Sequence, residues 1–326
     1  MTEKAGRSVT RNDVAKLAGV STAVVSYVVN NGPRPVAEAT RQKVLDAIRK
    51  LDYQPNAAAR SLITGRADAL ALVVPDVANP YFGALALEVE FAARERGQTL
   101  ILAQAPDNHH EVIAELGGGV VDGLISAVWP DEKVLRELAR RPLPMVQVSI
   151  MTPELPFRCL QPDYHGGSYE AVRHLIGHGH ERIALVTGAS ASEARGLGWA
   201  KALAEAGLVA GPVVELSWSR EAGYEGAGRL LREHPDVTAA FVASDNQAIG
   251  FLAGLHQAGK RVPRDLAVVS FDGSPDGRFT IPPLTSVRVP IRQLARDAVA
   301  QVLDPNAEKL GVVYPCTLVV RESCGC

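Results

Sequence analysis

Residues able to bind a small polar molecule follow a series of short apolar runs in the chain. They combine carboxylates, a guanidinium, an amide, hydroxyls and aromatic rings, and they are Asp76, Asn79, Tyr81, Phe82, Trp129, Ser149, Arg195, Trp218, Asp245 and Asp272. Carboxylates and arginine make directional hydrogen bonds to hydroxyl groups, and an indole face packs against the apolar face of a sugar ring. This combination predicts a site for a neutral, hydroxyl-rich ligand such as a sugar. For Asp245, and for Asp163, capping of the following helix is the alternative role, and Trp199 is expected in the core.

The elements that would position these side chains are strands alternating with helices. The expected strands cover residues 69–75, 99–103, 123–128, 183–187, 213–216, 240–243 and 266–271. Continuous apolar runs of this length are typical of strands buried on both faces, and their alternation with helices predicts parallel sheets. Ligands of such sheets bind beyond the carboxyl ends of the strands. We therefore expect an α/β fold with two similar halves and a cleft between them.

The residues before this region show a pattern that predicts a helix-turn-helix. Thr10 begins a capping pattern for a first helix, and Gly19 suits the left-handed turn that ends it. Ala15 is small enough to lie where two helices touch, and Val25 would enter the core from the second helix. A third helix is expected over residues 38–51, where apolar residues recur at helical spacing.

The charge of the chain is divided unevenly. Residues 1–66 carry 11 basic and five acidic side chains, a net charge of +6, whereas the whole chain has a net charge of −2. The rest of the chain therefore carries −8. A basic head on an acidic body predicts a polyanion-binding module attached to a different domain, although a solvated charged face would give the same imbalance.

Length and composition exclude several classes of protein. The chain has 326 residues, of which 47% are hydrophobic and 21% charged, so it can bury the cores of two or three domains and is not disordered. It contains no apolar run of about 18 residues, the length that a membrane-spanning helix needs. Residues 1–20 carry charges throughout and lack the apolar segment of a secretion signal, so we expect a cytosolic protein. No nucleophile–base motif occurs, so we do not expect an enzyme.

Two groups of residues have the chemistry of metal ligands. His174, His178 and His180 are suitably spaced, but the glycines between them are expected to break the helix that would align them, which favours capping and turn roles. Cys324 and Cys326 can bind a metal or oxidise, but two thiols do not complete a zinc site. The sequence therefore predicts no metal and no cofactor.

The motifs of the chain resemble the lactose/galactose-repressor (LacI/GalR) family of bacterial transcription regulators. The resemblance is carried by VTRNDVAKLAGVSTAVVSYVVNNG in the head and continues through VVPDVANPYF, GHGHERIALVTG, ASDNQAIG and RVPRDLAVVSFD. It implies a helical helix-turn-helix DNA-binding domain with a hinge helix, followed by a periplasmic-binding-protein-like core of two subdomains with parallel sheets flanked by helices. The implied boundaries are 1–64 for the DNA-binding domain with its hinge at about 55–64, 67–326 for the core, 67–162 plus 289–318 for the first subdomain, and 163–288 plus 319–326 for the second.

The resemblance assigns DNA contacts to the second helix, its flanks and the hinge. These residues are Thr10, Ser21, Thr22, Ala23, Ser26, Tyr27, Asn30, Asn56, Ala59, Arg60 and Leu62. Many relatives have arginine at the position of Tyr27, and since arginine binds guanine bidentately, Tyr27 implies a different half-site, with contact to a thymine methyl or a phosphate instead. Leu62 is expected to wedge between central base pairs from the minor groove. Ala37 replaces a serine that usually caps the third helix, at a cost of about 1 kcal/mol.

For the core, the resemblance implies effector contacts by Arg195, Trp218 and Asp272, and Ser244 stands where some relatives have asparagine. The implied protein is a homodimeric regulator, in most relatives a repressor, that binds a pseudo-palindromic operator in double-stranded DNA. A small sugar-like effector in the cleft would control its operator affinity. The alternative is a cytosolic solute-binding protein that does not bind DNA, and the complete helix-turn-helix pattern argues against it.

Overall fold

The chain folds into two compact units, Met1–Ala67 and Asp68–Cys326. The computed structural model describes residues 9–29, 32, 34–54, 65–105, 109–128, 143–148, 158–188, 190–304, 306 and 311–326. The hinge helix expected at about 55–64 lies outside these ranges. Within them, no helix is both long enough and apolar enough to cross a lipid bilayer.

The described residues of the first unit form three helices, α1 (Arg11–Ala18), α2 (Thr22–Val29) and α3 (Glu38–Leu51). The expected capping pattern forms at α1, where the backbone N–H and the hydroxyl of Thr10 donate to Asp13 Oδ2 at 2.9 and 2.6 Å. Gly19 ends the helix in the left-handed region with φ 68°, a conformation that glycine adopts without steric cost. The start of α3 lacks a side-chain cap because Ala37 has no hydrogen-bonding group.

A small apolar core holds these three helices together. It consists of the buried residues Val14, Ala15, Ala18, Val25, Val28, Val44, Ala47 and Tyr53. The expected placement of Ala15 at a helix contact and of Val25 in the core is confirmed, since both belong to this core and are at most 5% exposed. Burial of so few apolar side chains fixes the orientation of α2 while leaving its other face to solvent.

The second unit alternates strands and helices, as the sequence predicts. Its elements are β1 (Ala69–Val74), α4 (Pro80–Arg94), β2 (Thr99–Gln104), α5 (His109–Leu116), β3 (Gly123–Ser126), β4 (Met145–Val148), β5 (Arg158–Pro162), α6 (Tyr164–Gly177), β6 (Ile183–Thr187), α7 (Ala194–Glu205), β7 (Val213–Glu215), α8 (Arg220–Glu233), β8 (Ala239–Val242), α9 (Asp245–Gln257), β9 (Ala267–Asp272), a 3₁₀ helix (Pro275–Arg278), β10 (Thr285–Arg288), α10 (Ile291–Leu303), β11 (Gly311–Tyr314), β12 (Thr317–Val319) and a second 3₁₀ helix (Glu322–Cys324).

These strands form two sheets, and each sheet is the centre of one subdomain. The first has the order β11-β5-β4-β3-β1-β2 and is parallel, with Leu70 of β1 opposite Leu100 of β2 and Gly123 of β3. The second has the order β12-β10-β9-β8-β6-β7 and is parallel except where β12 joins β10. Strands β1, β6, β8 and β9 are buried along their whole length because helices cover both faces of the sheets.

The chain passes between the two subdomains after Pro162, after Arg288 and after Tyr314. The last crossing corrects one expected boundary. The resemblance implies that residues 317 and 318 belong to the first subdomain, but Thr317–Val319 pairs antiparallel with β10 of the second sheet. The crossing therefore lies a few residues earlier, directly after β11.

Candidate functional site

A cavity of about 860 Å³ lies between the two subdomains, at the carboxyl ends of their parallel strands. This volume is within the range of small-molecule sites, about 300–1,000 Å³. Among the residues that the sequence singled out, those lining it are Asp76, Asn79, Tyr81, Phe82, Arg195, Trp218, Ser244 and Asp272. Trp129 and Ser149 lie outside the described residues.

Arg195 is the charged group at the centre of the wall formed by the second subdomain. It lies in the first turn of α7, and its guanidinium carbon is 4.1 Å from the ring centre of Tyr164 and 5.4 Å from that of Trp218. Its Nη2 is 3.5 Å from Asp272 Oδ1. Aromatic faces attract a guanidinium through their quadrupoles, so these contacts fix the side chain with its charge at the cavity.

Asp272, the last residue of β9, has an unusual backbone conformation and a raised carboxyl pKa. Its φ of 112° is in a region that non-glycine residues rarely adopt, and such backbone strain clusters at binding sites. Burial raises the pKa of its carboxyl to about 8, while the neighbouring Arg195 acts in the opposite direction. The backbone N–H of Asp245 donates to Asp272 Oδ2 at 3.3 Å. A carboxyl held in this way can both donate and accept hydrogen bonds near neutral pH.

Asp245, which the sequence places in the ligand site, does not line the cavity. Its carboxylate is 1% exposed and accepts hydrogen bonds from the hydroxyls of Ser270 and Ser286 and from the backbone N–H of Ser274. Burial raises its pKa, and these hydrogen bonds oppose that shift. The side chain is buried away from the cavity because Ser270 of β9, Ser286 of β10 and the backbone of Ser274 offer it these donors. Through its hydrogen bonds to Ser270 and Asp272, Asp245 therefore stabilises the position of β9.

Of the two aspartates with helix capping as an alternative role, only Asp163 is a cap. Asp163 caps α6 as expected, accepting from the backbone N–H of Gly166 at 2.7 Å. The cap of α9 is Ser244, whose Oγ accepts from Gln247 N at 3.2 Å, so Asp245 is not the cap. Trp199 is in the core, as expected, with its indole N–H donating to the carbonyl of Ile183.

Trp218 supplies an apolar ring surface to the cavity and remains about one-third exposed. Gly188, at the end of β6, makes its position possible, because a Cβ there would come within 2.3 Å of the indole ring. Two amide side chains from α9 hold the loop: Asn246 donates to the carbonyl of Trp218 at 2.8 Å, and Gln247 donates to that of Ser217 at 2.9 Å. The ring is thus fixed by contacts from two directions.

The wall formed by the first subdomain is built differently. Asp76 Oδ1 accepts from Ala78 N at 2.9 Å, and Asn79 Oδ1 accepts from Tyr81 N at 3.0 Å, which caps α4. The rings of Tyr81 and Phe82 meet edge to face at 5.1 Å. Tyr81 belongs to the apolar core of the second subdomain, so this segment links the two subdomains.

Several lining residues were not predicted from the sequence. They are Pro75, Ala127, Gln161, Tyr164, Gly188, Glu193, Ala194, Ser217 and Ser219. For all of them except Gln161 and Tyr164, a position near the end of an expected strand, or beside Arg195 or Trp218, is the signal that could have identified them. Gln161 and Tyr164 lack that signal, because the sequence does not predict the short strand β5.

In the head, the expected DNA contacts that the structure describes are the N-cap of α1 and residues in and directly before α2. Thr10, Ser21, Thr22 and Ala23 are exposed, whereas Ser26 and Tyr27 are half-buried. The ring of Tyr27 lies against Gly32, where a Cβ would come within 2.6 Å of a ring carbon. The remaining expected contacts, Asn30, Asn56, Ala59, Arg60 and Leu62, lie outside the described residues.

Comparisons with known proteins find matches for both the helical head and the two-subdomain core. Residues 10–56 match bacterial regulatory proteins of the lacI family, and residues 172–324 match the periplasmic binding protein-like domain. The chain is 33% identical to the HTH-type transcriptional regulator DegA of Bacillus subtilis (strain 168), over 95% of this chain and 96% of DegA. A solved complex of the transcriptional regulator CelR with cellobiose covers 97% of this chain and 99% of CelR, with 33% identity and a TM-score of 0.73. The lac repressor dimer bound to operator and the anti-inducer ONPF covers 98% of this chain and 99% of its own, with 27% identity and a TM-score of 0.87.

A helix-turn-helix head followed by a cleft between two parallel-sheet subdomains defines a class of DNA-binding transcriptional regulators. Within that class, the chain belongs to the LacI family of bacterial regulatory proteins. Its matched relatives are named as transcriptional regulators and repressors.

Proposed function

We propose that the chain is a homodimeric repressor whose affinity for a pseudo-palindromic operator is set by a sugar or sugar-like effector in the cleft. One observation carries the effector half of this proposal: Arg195, Asp272 and Trp218 line one cavity of about 860 Å³. The solved relatives support the ligand class, since one is a complex with cellobiose and another is bound to ONPG.

In this proposal each of the three residues has a separate role. Trp218 packs on the apolar face of a sugar ring, and Asp272 exchanges hydrogen bonds with its hydroxyls. Arg195 donates to hydroxyl oxygens, and its buried Nε has no hydrogen-bond partner among the described residues. The ligand is bound without being converted, so it should be recovered unchanged after incubation with the protein.

In the head, α2 enters the major groove with Thr22, Ala23 and Tyr27 at the base edges. The head and hinge comprise residues 1–64, and the core of residues 67–326 supplies the dimer contacts. Because such a regulator acts on the chromosome, we place it in the cytoplasm.

Coupling between the two functions follows from the connections between subdomains. A ligand that contacts both walls changes the angle between the two sheets, and in a dimer this angle sets the separation of the hinges. The linkage is reciprocal: if effector weakens operator binding by some factor, operator weakens effector binding by the same factor.

The test uses the full chain and a pool of random duplex DNA, from which bound sequences are selected and then measured by gel shift at several salt concentrations. We expect a palindromic preference and an affinity that falls steeply with salt, because the head carries a net charge of +6. Sugars are screened in parallel by thermal shift. Ligand binding without any salt-dependent DNA binding would instead indicate a solute-binding protein.

A further inference from the structure

Four side chains with the chemistry of metal ligands converge on the surface of the second subdomain, outside the cleft. They are His174 and His178 from the end of α6 and Cys324 and Cys326 from the terminal segment. One ligand atom from each residue lies within 4.8 Å of the other three. His178 Nε2 is 3.1 Å from Cys326 Sγ, and His174 Nε2 is 3.5 Å from the same sulfur.

The two histidines are aligned because α6 continues further than its glycines suggested. The helix includes Gly177 and has His178 as its C-terminal cap, so His174 and His178 are one helical turn apart on the same face. Their rings meet edge to face at 4.7 Å. His180 turns away and bonds Thr238 Oγ1 at 3.0 Å, so it is not part of the group.

The two cysteines are positioned by the anchoring of the terminal segment on strands β9 and β10. Ser323 Oγ donates to the carbonyl of Val268 at 2.6 Å and accepts from Thr285 N at 2.8 Å, which fixes the short 3₁₀ helix Glu322–Cys324. Gly325 then adopts a φ of 99°, and the chain turns so that Cys326 reaches the histidines. This turn favours glycine because other residues are strained at such a φ.

Cys324 has a neighbour suited to support a bound thiolate. The sulfur is 1% exposed and lies 3.1 Å from Thr285 Oγ1. Because Arg321 N donates to that hydroxyl oxygen at 2.8 Å, the hydroxyl proton is available to the sulfur. Hydrogen-bond donors of this kind orient the ligands of metal sites from the second coordination sphere.

We propose that His174, His178, Cys324 and Cys326 form a structural Zn²⁺ site that clamps the terminal segment to α6. Two imidazoles and two thiolates complete the tetrahedral set that structural zinc sites use. Such a tetrahedron has ligand–ligand edges of about 3.3–3.8 Å, so shifts of about 1 Å close the group around the ion. Tyr164, at the opposite end of α6, lines the cleft, so the zinc site is about 15 Å along the helix from the effector site.

The experiment measures zinc in the full chain purified with reductant and dialysed against metal-free buffer. We expect one zinc ion per chain, and competition with a chromogenic chelator gives its affinity. Substitution with Co²⁺ should give the absorption of a tetrahedral thiolate site. Cys326→Ser and His178→Ala should each lower zinc affinity about 100-fold or more, beyond the about 10- to 100-fold loss expected for Thr285→Val.

Two variants outside the group serve as controls. His180→Ala and Cys316→Ser should keep the zinc affinity of the wild type, which separates loss of a ligand from a general effect of removing a histidine or a thiol. Zinc should also raise the melting temperature of the wild type and not of the double variant Cys324→Ser/Cys326→Ser.

Two results would overturn the proposal. One is a zinc content of the wild type no greater than that of the double cysteine variant. The other is that the protein purified with reductant contains a disulfide between Cys324 and Cys326 and no bound metal.

Discussion

The two walls of the cleft achieve their polar character by different means. In the second subdomain, Arg195 and Asp272 are mostly buried and contact each other. The backbone N–H of Asp245 also donates a hydrogen bond to the carboxyl of Asp272. In the first, Asp76 and Asn79 bond to the backbone of their own loop. The charged residues of the second wall are thus held by contacts between distant parts of the chain, whereas the side chains of Asp76 and Asn79 are held by hydrogen bonds within their own loop.

This difference indicates where binding free energy arises. A preorganised wall loses little conformational freedom when the ligand binds, so its contacts contribute most of the affinity. The loop of the first wall is tied by Tyr81 to the core of the second subdomain, so it is placed to report closure of the cleft. We expect substitutions in the second wall to abolish ligand binding and substitutions in the first to reduce it.

The largest effect is expected for Arg195→Ala. The substitution removes charged hydrogen-bond donors from the ligand, and a hydrogen bond to a charged group contributes about 1.5–3 kcal/mol, so calorimetry should show a loss of ligand affinity of about 10- to 100-fold. Operator binding by the variant should remain. An unchanged ligand titration would remove Arg195 from the site and would contradict the comparison of the walls.

The next prediction is that the free energy of unfolding depends on pH through the carboxyl of Asp272. Its pKa of about 8 lies above the ordinary value of 3.8, so the folded chain holds a proton between these pH values that the unfolded chain releases. The associated stabilisation is complete below pH 4 and is lost as pH rises through 8. The free energy of unfolding should therefore fall with pH in this window by up to about 1.4 kcal/mol per unit.

Asp272→Asn tests this assignment, because asparagine does not titrate. Denaturant unfolding measured from pH 5 to 8 should give a shallower pH dependence in the variant than in the wild type. Parallel curves would show that another group carries the proton.

A smaller effect is expected for Gly188→Ala, which acts on Trp218. The added Cβ would come within 2.3 Å of the indole ring and must displace it, so ligand affinity should fall about tenfold, or about 1.4 kcal/mol. Gly83→Ala in α4 is the matched control, since Gly83 does not line the cavity and nothing lies within 4 Å of a Cβ there. Equal affinities of the two variants would mean that the position of the indole does not matter.

The smallest effect is expected for Asp76→Ala in the first wall. It removes one hydrogen-bonding group from an exposed loop, so affinity should fall by about 0.5–1.5 kcal/mol. Calorimetry with the same ligand measures it beside Arg195→Ala. A loss as large as that of Arg195→Ala would reverse the ranking of the two walls.

The sequence predicted those features that local patterns determine. The cap at Thr10, the turn at Gly19 and the helix ending at Leu51 follow from residue type and spacing, and the structure confirms them. The apolar runs likewise located most strands, and several polar residues that follow them, including Asp76, Asn79 and Asp272, line the cleft.

What the sequence did not predict depends on contacts between distant residues. Asp245 lies beneath the cavity because Ser270 and Ser286, on neighbouring strands, donate to it. His178 lies next to Cys326 because the terminal segment packs on strands β9 and β10. The spacing of residues along the chain does not predict such long-range contacts.

The most direct test of the coupled head and cleft is operator affinity measured with and without ligand. Fluorescence anisotropy with the selected operator and a sugar that shifts the melting temperature would give both values for the wild type and Arg195→Ala. We expect saturating ligand to change the operator affinity of the wild type severalfold and to leave that of the variant unchanged. Equal operator affinity of the wild type with and without saturating ligand would contradict it.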